Sequence, residues 1–277
     1  MLASLIIVFR EVLEAGLIVG IVLAATQGVV GRARWILLGI VGGIAGSCVV
    51  AGFADVISAQ FADSGQELFN ASVLLLAVLM LGWHNVWMAQ HGRELAREMA
   101  AVGRDVSSGN RSLAALALVI GLAVLREGSE VVLFLTGILA SEEGGIATVA
   151  LGGAGGLALG AAVAGLLYAG LLQIPTRHLF GVTTWLITLL AAGMASQAVV
   201  FLAQAGLITF GGTILWDSSG LLDESSMIGR TLHVLVGYTD RPTEMQLVVY
   251  LAVIVAITLL TRWTRGLADG RHVAAAR

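Results

Sequence analysis

Apolar residues along the chain fall into long, nearly unbroken runs separated by short polar stretches, rather than into the alternating or heptad-like stripes of a soluble domain. A helix needs about 18 to 20 apolar residues to cross roughly 30 Å of hydrocarbon, and a barrel strand only about ten. The runs therefore predict seven transmembrane helices, at about 2–24, 36–58, 68–90, 112–140, 147–172, 179–204 and 245–263. The apolar N-terminus MLASLIIVF has no positive residue before it and no small-residue cleavage site after it, so it reads as a retained first span.

Composition agrees with that pattern. The 277 residues are 58% hydrophobic and only 12% charged, and mean hydropathy is +0.94, against about 25% charged residues in a typical soluble domain. The expected fold class is an all-α polytopic membrane protein forming a single transmembrane domain. Cys48 is the one cysteine, which excludes an intrachain disulfide and a thiol cluster for soft metals. Two prolines leave the helices largely unbroken, and 36 glycines suggest close helix packing.

Loop charges orient the spans. Arg32, Arg34, Arg93, Arg97, Arg104, Arg111, Arg177, Arg262, Arg265, Arg271 and Arg277 share one side, and only Arg230 and Arg241 lie on the other. By the positive-inside rule the N-terminus is outside and the C-terminus cytoplasmic. The outer side carries Asp63, Glu67, Glu142, Glu143, Asp217, Asp223, Glu224, Asp240 and Glu244. Such a face concentrates cations near an entrance; soluble loops that avoid arginine would look the same.

Two spans break the apolar rule, and they do so in the same way. REVLEAGLIVGIVLA at 10–24 and REGSEVVLFLTGILA at 126–140 match at Arg, Glu, Glu, Leu, Leu and Ala in one register. GGIAG at 42–46 is similar to GGAGG at 152–156, and Leu68, Phe69 and Gly82 have the spacing of Leu179, Phe180 and Gly193. Spans one to three (about 1–92) and four to six (about 112–205) thus read as two copies of one unit, followed by an outer segment at about 206–244 and the last helix. With three spans per copy the second is inverted relative to the first, an architecture of transporters whose sites lie near the midplane. Gly39, Gly43, Gly42 and Gly46, and Gly152, Gly156 and Gly160, place small residues four apart for close helix approach.

On a helix, Arg10, Glu11 and Glu14 share one face, and Arg126, Glu127 and Glu130 repeat it. Each charge at a helix centre costs about 2.5–3.5 kcal/mol on insertion scales, so six left alone would cost on the order of 15–20 kcal/mol. Each arginine can pair with a glutamate, yet two arginines and four glutamates leave negative charge for a cation or protons to neutralise. Carboxylates are hard donors, suited to Fe³⁺, Mn²⁺, Mg²⁺, Ca²⁺ and, less selectively, Fe²⁺, rather than to copper(I) or zinc. The alternative is that the two clusters only glue helices together by ion pairs.

These residues carry a resemblance. REVLE and REGSE, in the first and fourth of seven spans, resemble the paired R-E-x-x-E motifs of the oxidase-dependent high-affinity iron permease family, in particular its bacterial branch, the membrane permeases of the Efe iron-uptake system. The outer segment LWDSSGLLDESSMIGRTLHVLVGY is also similar to bacterial members. Val12 stands where members usually have glycine, which Gly128 keeps in the second motif. The resemblance implies iron import as Fe²⁺ or Fe³⁺ across a bacterial inner membrane. It implies Glu11, Glu14, Glu127 and Glu130 as ligands, Arg10 and Arg126 as electrostatic partners, and no cofactor beyond the transported iron. It also implies periplasmic iron-binding and peroxidase-like or oxidase proteins as partners, and no nucleic acid.

Other residues are secondary candidates. Trp83, His84, Met88 and His91 crowd the cytoplasmic end of span three, where they read as interfacial anchors; an exit-side iron site at His84 or His91 is the sharper alternative. Asp223 and Glu224 either receive iron at the entrance or cap a short amphipathic helix in which Leu221, Leu222, Met227, Leu232 and Leu235 face lipid or the bundle. Asp55 either lines the entrance or is a single buried carboxylate bonded to a neighbouring helix.

Rival functions fit less well. No lysine is present to form a retinal Schiff base. A membrane-embedded enzyme would need a nucleophile with its base, and Ser129 beside Glu130 has no intramembrane histidine in a matched motif. A transporter of another hard divalent cation, such as Mn²⁺, is the stronger alternative.

Overall fold

The computed structural model describes residues 1–59, 66–141, 145–170 and 176–275. Among them are eight helices: α1 Leu2–Ala25, α2 Arg32–Ala59, α3 Gln66–Ser107, α4 Ala114–Ser141, α5 Gly145–Tyr168, α6 Thr176–Gln204, α7 Met227–Val236 and α8 Glu244–Ala275. Five contain stretches long and apolar enough to cross a membrane: Arg32–Phe53, Gln66–Met88, Gly145–Tyr168, Gly181–Gln204 and Glu244–Thr264. The other two expected spans are α1 and α4, 24 and 28 residues long, which carry the two charged motifs mid-helix.

Which face of each helix turns inward follows from side-chain size more than from polarity. Leu38, Val41 and Ile44 on α2, Leu151 and Leu157 on α5, and Val255 and Leu259 on α8 are all more than half exposed. An apolar exterior of this kind is what lipid solvates, so greasiness does not mark the core here. Small residues do. A methyl group at Gly156 on α5 would fall 2.5 Å from the Leu5 carbonyl oxygen of α1, and one at Gly160 would fall 2.9 Å from the Val12 Cβ. On α2, one at Gly39 would fall 2.7 Å from the Ala117 carbonyl oxygen of α4 and one at Gly43 would fall 2.8 Å from that of Gly121. Rising numbers on one helix meet rising numbers on the other in both cases, so α5 runs parallel to α1 and α2 parallel to α4.

Two apolar clusters bracket the middle of the bundle. One joins Ile7 of α1, Leu74 and Leu81 of α3, Phe134 and Ile138 of α4, Ile187 of α6 and Ile257 of α8. The second joins Val22 of α1, Ile36 of α2, Val106 of α3, and Leu116 and Ile120 of α4. The chain passes from the first cluster to the second along α1 and α3, and from the second to the first along α4, so α1 and α4 are antiparallel. Residues 10–14, 84–85 and 127–130 all fall between the clusters, and Arg10, Glu11, Glu14, His84, Asn85 and Glu127 are buried there.

Between α6 and α8 the chain forms a compact polar segment around α7. Ser226 caps α7 by accepting the Gly229 N–H at 2.9 Å, and Gly237 ends it in the left-handed region at φ 68°. Asp223 and Glu224, one of whose expected roles was that cap, precede it instead. The expected short helix is thus present, but Leu221 and Leu222 lie before it, and Leu221 is 94% exposed. Side-chain placement of Met227 and Leu235 lies outside the described residues. The Tyr250 hydroxyl of α8 donates to the Val236 carbonyl at 2.5 Å, which ties the end of α7 to the bundle.

Candidate metal centre

Three helices supply the buried polar layer. On α1 the i,i+4 spacing folds the Arg10 guanidinium back along the helix, with Nε 2.9 Å from Glu14 Oε1, while its NH1 is 3.7 Å from Glu11 Oε1. On α4 the same spacing lets Arg126 Nε donate to Glu130 Oε1 at 3.2 Å, with Glu127 Oε1 at 4.0 Å. The two motifs meet through α3. His84 Nε2 lies 3.7 Å from Glu11 Oε2 and 3.4 Å from Glu14 Oε2, and His84 Nδ1 contacts Glu130 Oε2.

His84 therefore does not anchor the end of its span. It is 3% exposed, whereas Trp83, about 100° further round the helix, is 71% exposed and takes the lipid-facing place. One ligand atom each from Glu11, His84, Glu127 and Glu130 lie within 4.8 Å of one another. A cation held at about 2.1 Å from carboxylate oxygens needs opposed ligands roughly 4.2 Å apart, so inward shifts of a few tenths of an ångström close the group. Glu14 borders it, held between Arg10 and His84.

The two motifs differ in access. The Arg10 side chain is 2% exposed and that of Arg126 is 38% exposed. Arg126 lies over the Trp87 ring, 4.1 Å from its centre, and Trp87 in turn stacks on His91 at 5.0 Å. His91 Nδ1 is 3.2 Å from the Trp87 carbonyl oxygen, and His91 is about two turns from His84 of the cluster. Local packing also explains the departure at the first motif. Val12 is accommodated by Gly160 of α5, while its counterpart Gly128 lies against Ser47 of α2, where a methyl group would fall 2.8 Å from the Ser47 Cβ. Bulk is exchanged between partner helices, and close approach of α1 to α5 is kept.

The remaining candidates are elsewhere. Asp55 lies on α2, and its side-chain placement is outside the described residues, as are Glu142 and Glu143. Asp223 is exposed and accepts the Ser225 N–H at 2.7 Å; bonds from Ser225 hold its carboxyl below the usual range. Glu224 is 3.0 Å from His233 Nδ1, and that hydrogen bond chiefly lowers its pKa. Asp217 accepts from the Ser219 hydroxyl and N–H and pairs with Arg241 at 3.0 Å, which pulls it down to about 2. These acids bind neighbours in their own segment, and among the described residues only the motif cluster groups metal-ligating atoms.

Sequence reasoning missed two residues. Asn85 is 2% exposed, with both amide atoms buried and without a hydrogen-bond partner among the described residues. Ser47 donates to the Gly43 carbonyl at 3.0 Å and reaches the Leu125 carbonyl at 3.4 Å, beneath the second motif. The polar pair HN inside LGWHNVWM was the available signal for Asn85.

Residues 1–264 match the iron permease FTR1 family. The chain belongs to that family. It is accordingly a transporter and not an enzyme, and a multi-pass membrane protein. It is 31% identical over 257 residues to the ferrous iron permease EfeU of Escherichia coli O6:H1 (strain CFT073), covering 90% of this chain and 91% of that one. The ferrous iron permease EfeU of Yersinia pestis is 29% identical over 284 residues, covering 100% and 99% of the two chains. No solved structure matches.

Proposed function

We propose that the protein imports ferrous iron across a bacterial inner membrane through a midplane site in which Glu11, Glu14, Glu127 and Glu130 coordinate the ion, with Arg10 and Arg126 as their electrostatic partners. One observation carries this reading: two charged motifs 116 positions apart in the sequence converge on one cluster, buried between two apolar layers. Burying that much charge is costly, and arginine pairing offsets only part of it. A divalent cation supplies the missing positive charge. The ferrous state follows the relatives named above.

The same reading takes α1 and α4 as spans, giving seven in a single transmembrane domain, with the N-terminus outside and the C-terminus in the cytoplasm. Spans one to three and four to six are then inverted copies. The antiparallel run of α1 and α4 supports this, as does the exchange of partners, because swapping the copies maps the parallel pair α1 and α5 onto α4 and α2. Import proceeds by the two copies rocking about the ion, which reaches the carboxylates from one side and leaves to the other. Periplasmic iron-binding and peroxidase-like proteins deliver it, and no cofactor beyond the ion takes part.

The test is radiolabelled iron uptake into vesicles by Glu14→Gln and Glu130→Gln variants, with iron kept ferrous or ferric. Both variants insert and lose uptake. Uptake at the parent rate in both sinks the assignment, and stronger inhibition by Mn²⁺ than by unlabelled iron assigns the site to another hard cation.

A further inference from the structure

We propose that His84 is itself a ligand of the transported ion and gives the site its preference for iron over Mn²⁺, Mg²⁺ and Ca²⁺. This rests on the carboxylate site proposed above and adds to it a donor of different chemistry. An all-carboxylate cage does not discriminate well among these ions, since oxygen donors suit magnesium, calcium and manganese at least as well as iron. Imidazole nitrogen moves the balance toward iron.

The placement of the ring is what assigns the role. His84 is 3% exposed, and both of its nitrogens face carboxylates rather than a backbone carbonyl or a hydroxyl. A structural histidine in an apolar bundle would normally be satisfied by a carbonyl or hydroxyl. This one is aimed at carboxylates on two sides, Glu11 and Glu14 through Nε2 and Glu130 through Nδ1. With one nitrogen on the ion, the other keeps its N–H for a hydrogen bond, the arrangement by which ligating histidines are oriented and kept in one tautomer. Its position on α3 also matters. The carboxylates come from α1 and α4, so the ion would otherwise be held by two helices only, and His84 adds the third wall.

The experiment uses full-length protein in two assays. In proteoliposomes, the ratio of Mn²⁺ to unlabelled iron needed to halve radiolabelled iron uptake is measured for the parent, His84→Gln and His84→Asn. The ratio falls by about tenfold or more in at least one inserted variant. In detergent, Mn²⁺ bound to the purified protein is examined by electron spin-echo modulation. The parent shows coupling to an imidazole nitrogen, and His84→Gln binds Mn²⁺ without it. An unchanged ratio in both variants, or nitrogen coupling that survives His84→Gln, overturns the proposal. If those results occur while Glu14→Gln and Glu130→Gln still lose uptake, His84 alone is wrong. If the glutamate variants transport normally, the carboxylate site fails first.

Discussion

Replacing Gly156 with alanine should damage iron uptake although residue 156 touches no charged group. The added methyl would fall 2.5 Å from the Leu5 carbonyl oxygen and 2.8 Å from the Phe9 nitrogen. Both are backbone atoms of α1, so no side chain can rotate out of the way. Ordinary contact begins at 3.4 Å, so α1 must retreat from α5 by about 0.9 Å there, on the turn just before Arg10 and Glu11. Sites that bind by geometry tolerate errors of only about 0.5 Å, and Glu11 would be carried beyond that. Overpacking of this kind costs about 1–3 kcal/mol, against a gain of roughly 0.5–1 kcal/mol from replacing a helical glycine. Two neighbours are internal controls. A methyl at Gly153 comes no closer than 3.8 Å to Val8 Cγ2, and one at Gly155 no closer than 3.5 Å to Leu5 Cδ1. Thermal unfolding in detergent and initial uptake rates in vesicles are the assays. Gly156→Ala should lose stability and uptake, whereas Gly153→Ala and Gly155→Ala should unfold at the parent temperature or above it and transport normally. Equal unfolding temperatures and equal uptake across the three variants would refute the account of α1 being positioned by backbone contact with α5.

The two arginines should respond unequally to removal. Arg10→Gln leaves Glu11 and Glu14 without their cation at a position only 2% exposed, a loss of about 3–5 kcal/mol; Arg126→Gln, at 38% exposure and with Glu130 still in contact with His84, should cost less. Matching losses of unfolding temperature would show that access does not separate the two motifs. The α6 to α8 segment should be insensitive to mild acid at Asp217. Its carboxyl is lowered to about 2 by Ser219 and Arg241, so its stabilising contribution is complete above the unfolded value of about 3.9 and is lost only as pH falls through about 2. The stability difference between the parent and Asp217→Asn should therefore stay constant from pH 7 to pH 5, measured by unfolding in detergent, and a difference that shrinks over that interval would contradict the geometry.

Much of the fold is legible in the chain because lipid imposes one requirement on every span: about 20 apolar residues whose backbone groups are satisfied within the helix. The helices lie within a few residues of the expected runs, except that α3 and α8 continue to Ser107 and Ala275, where charged residues follow the apolar stretch without a proline. The motif carboxylates were also legible, since charge in an apolar run is conspicuous. So were the glycines four apart, which the structure turns into the contacts between α1 and α5 and between α2 and α4, except Gly42, which faces open space.

What the sequence by itself determined, then, is where the helices lie and which residues are too polar to face hydrocarbon. Only the tertiary structure decided which polar residues meet. His84 and Trp83 are adjacent in the chain and equally at home at a membrane interface, yet one is buried among carboxylates and the other faces outward. Arg10 and Arg126 occupy equivalent places in equivalent motifs, yet one is sealed and the other lies over Trp87. The physical reason is common to both. In lipid the outside of a helix is as apolar as its packed side, so a span carries little amphipathic signal to say which way it faces, and rotation about the helix axis is set by the shapes of neighbours distant in sequence.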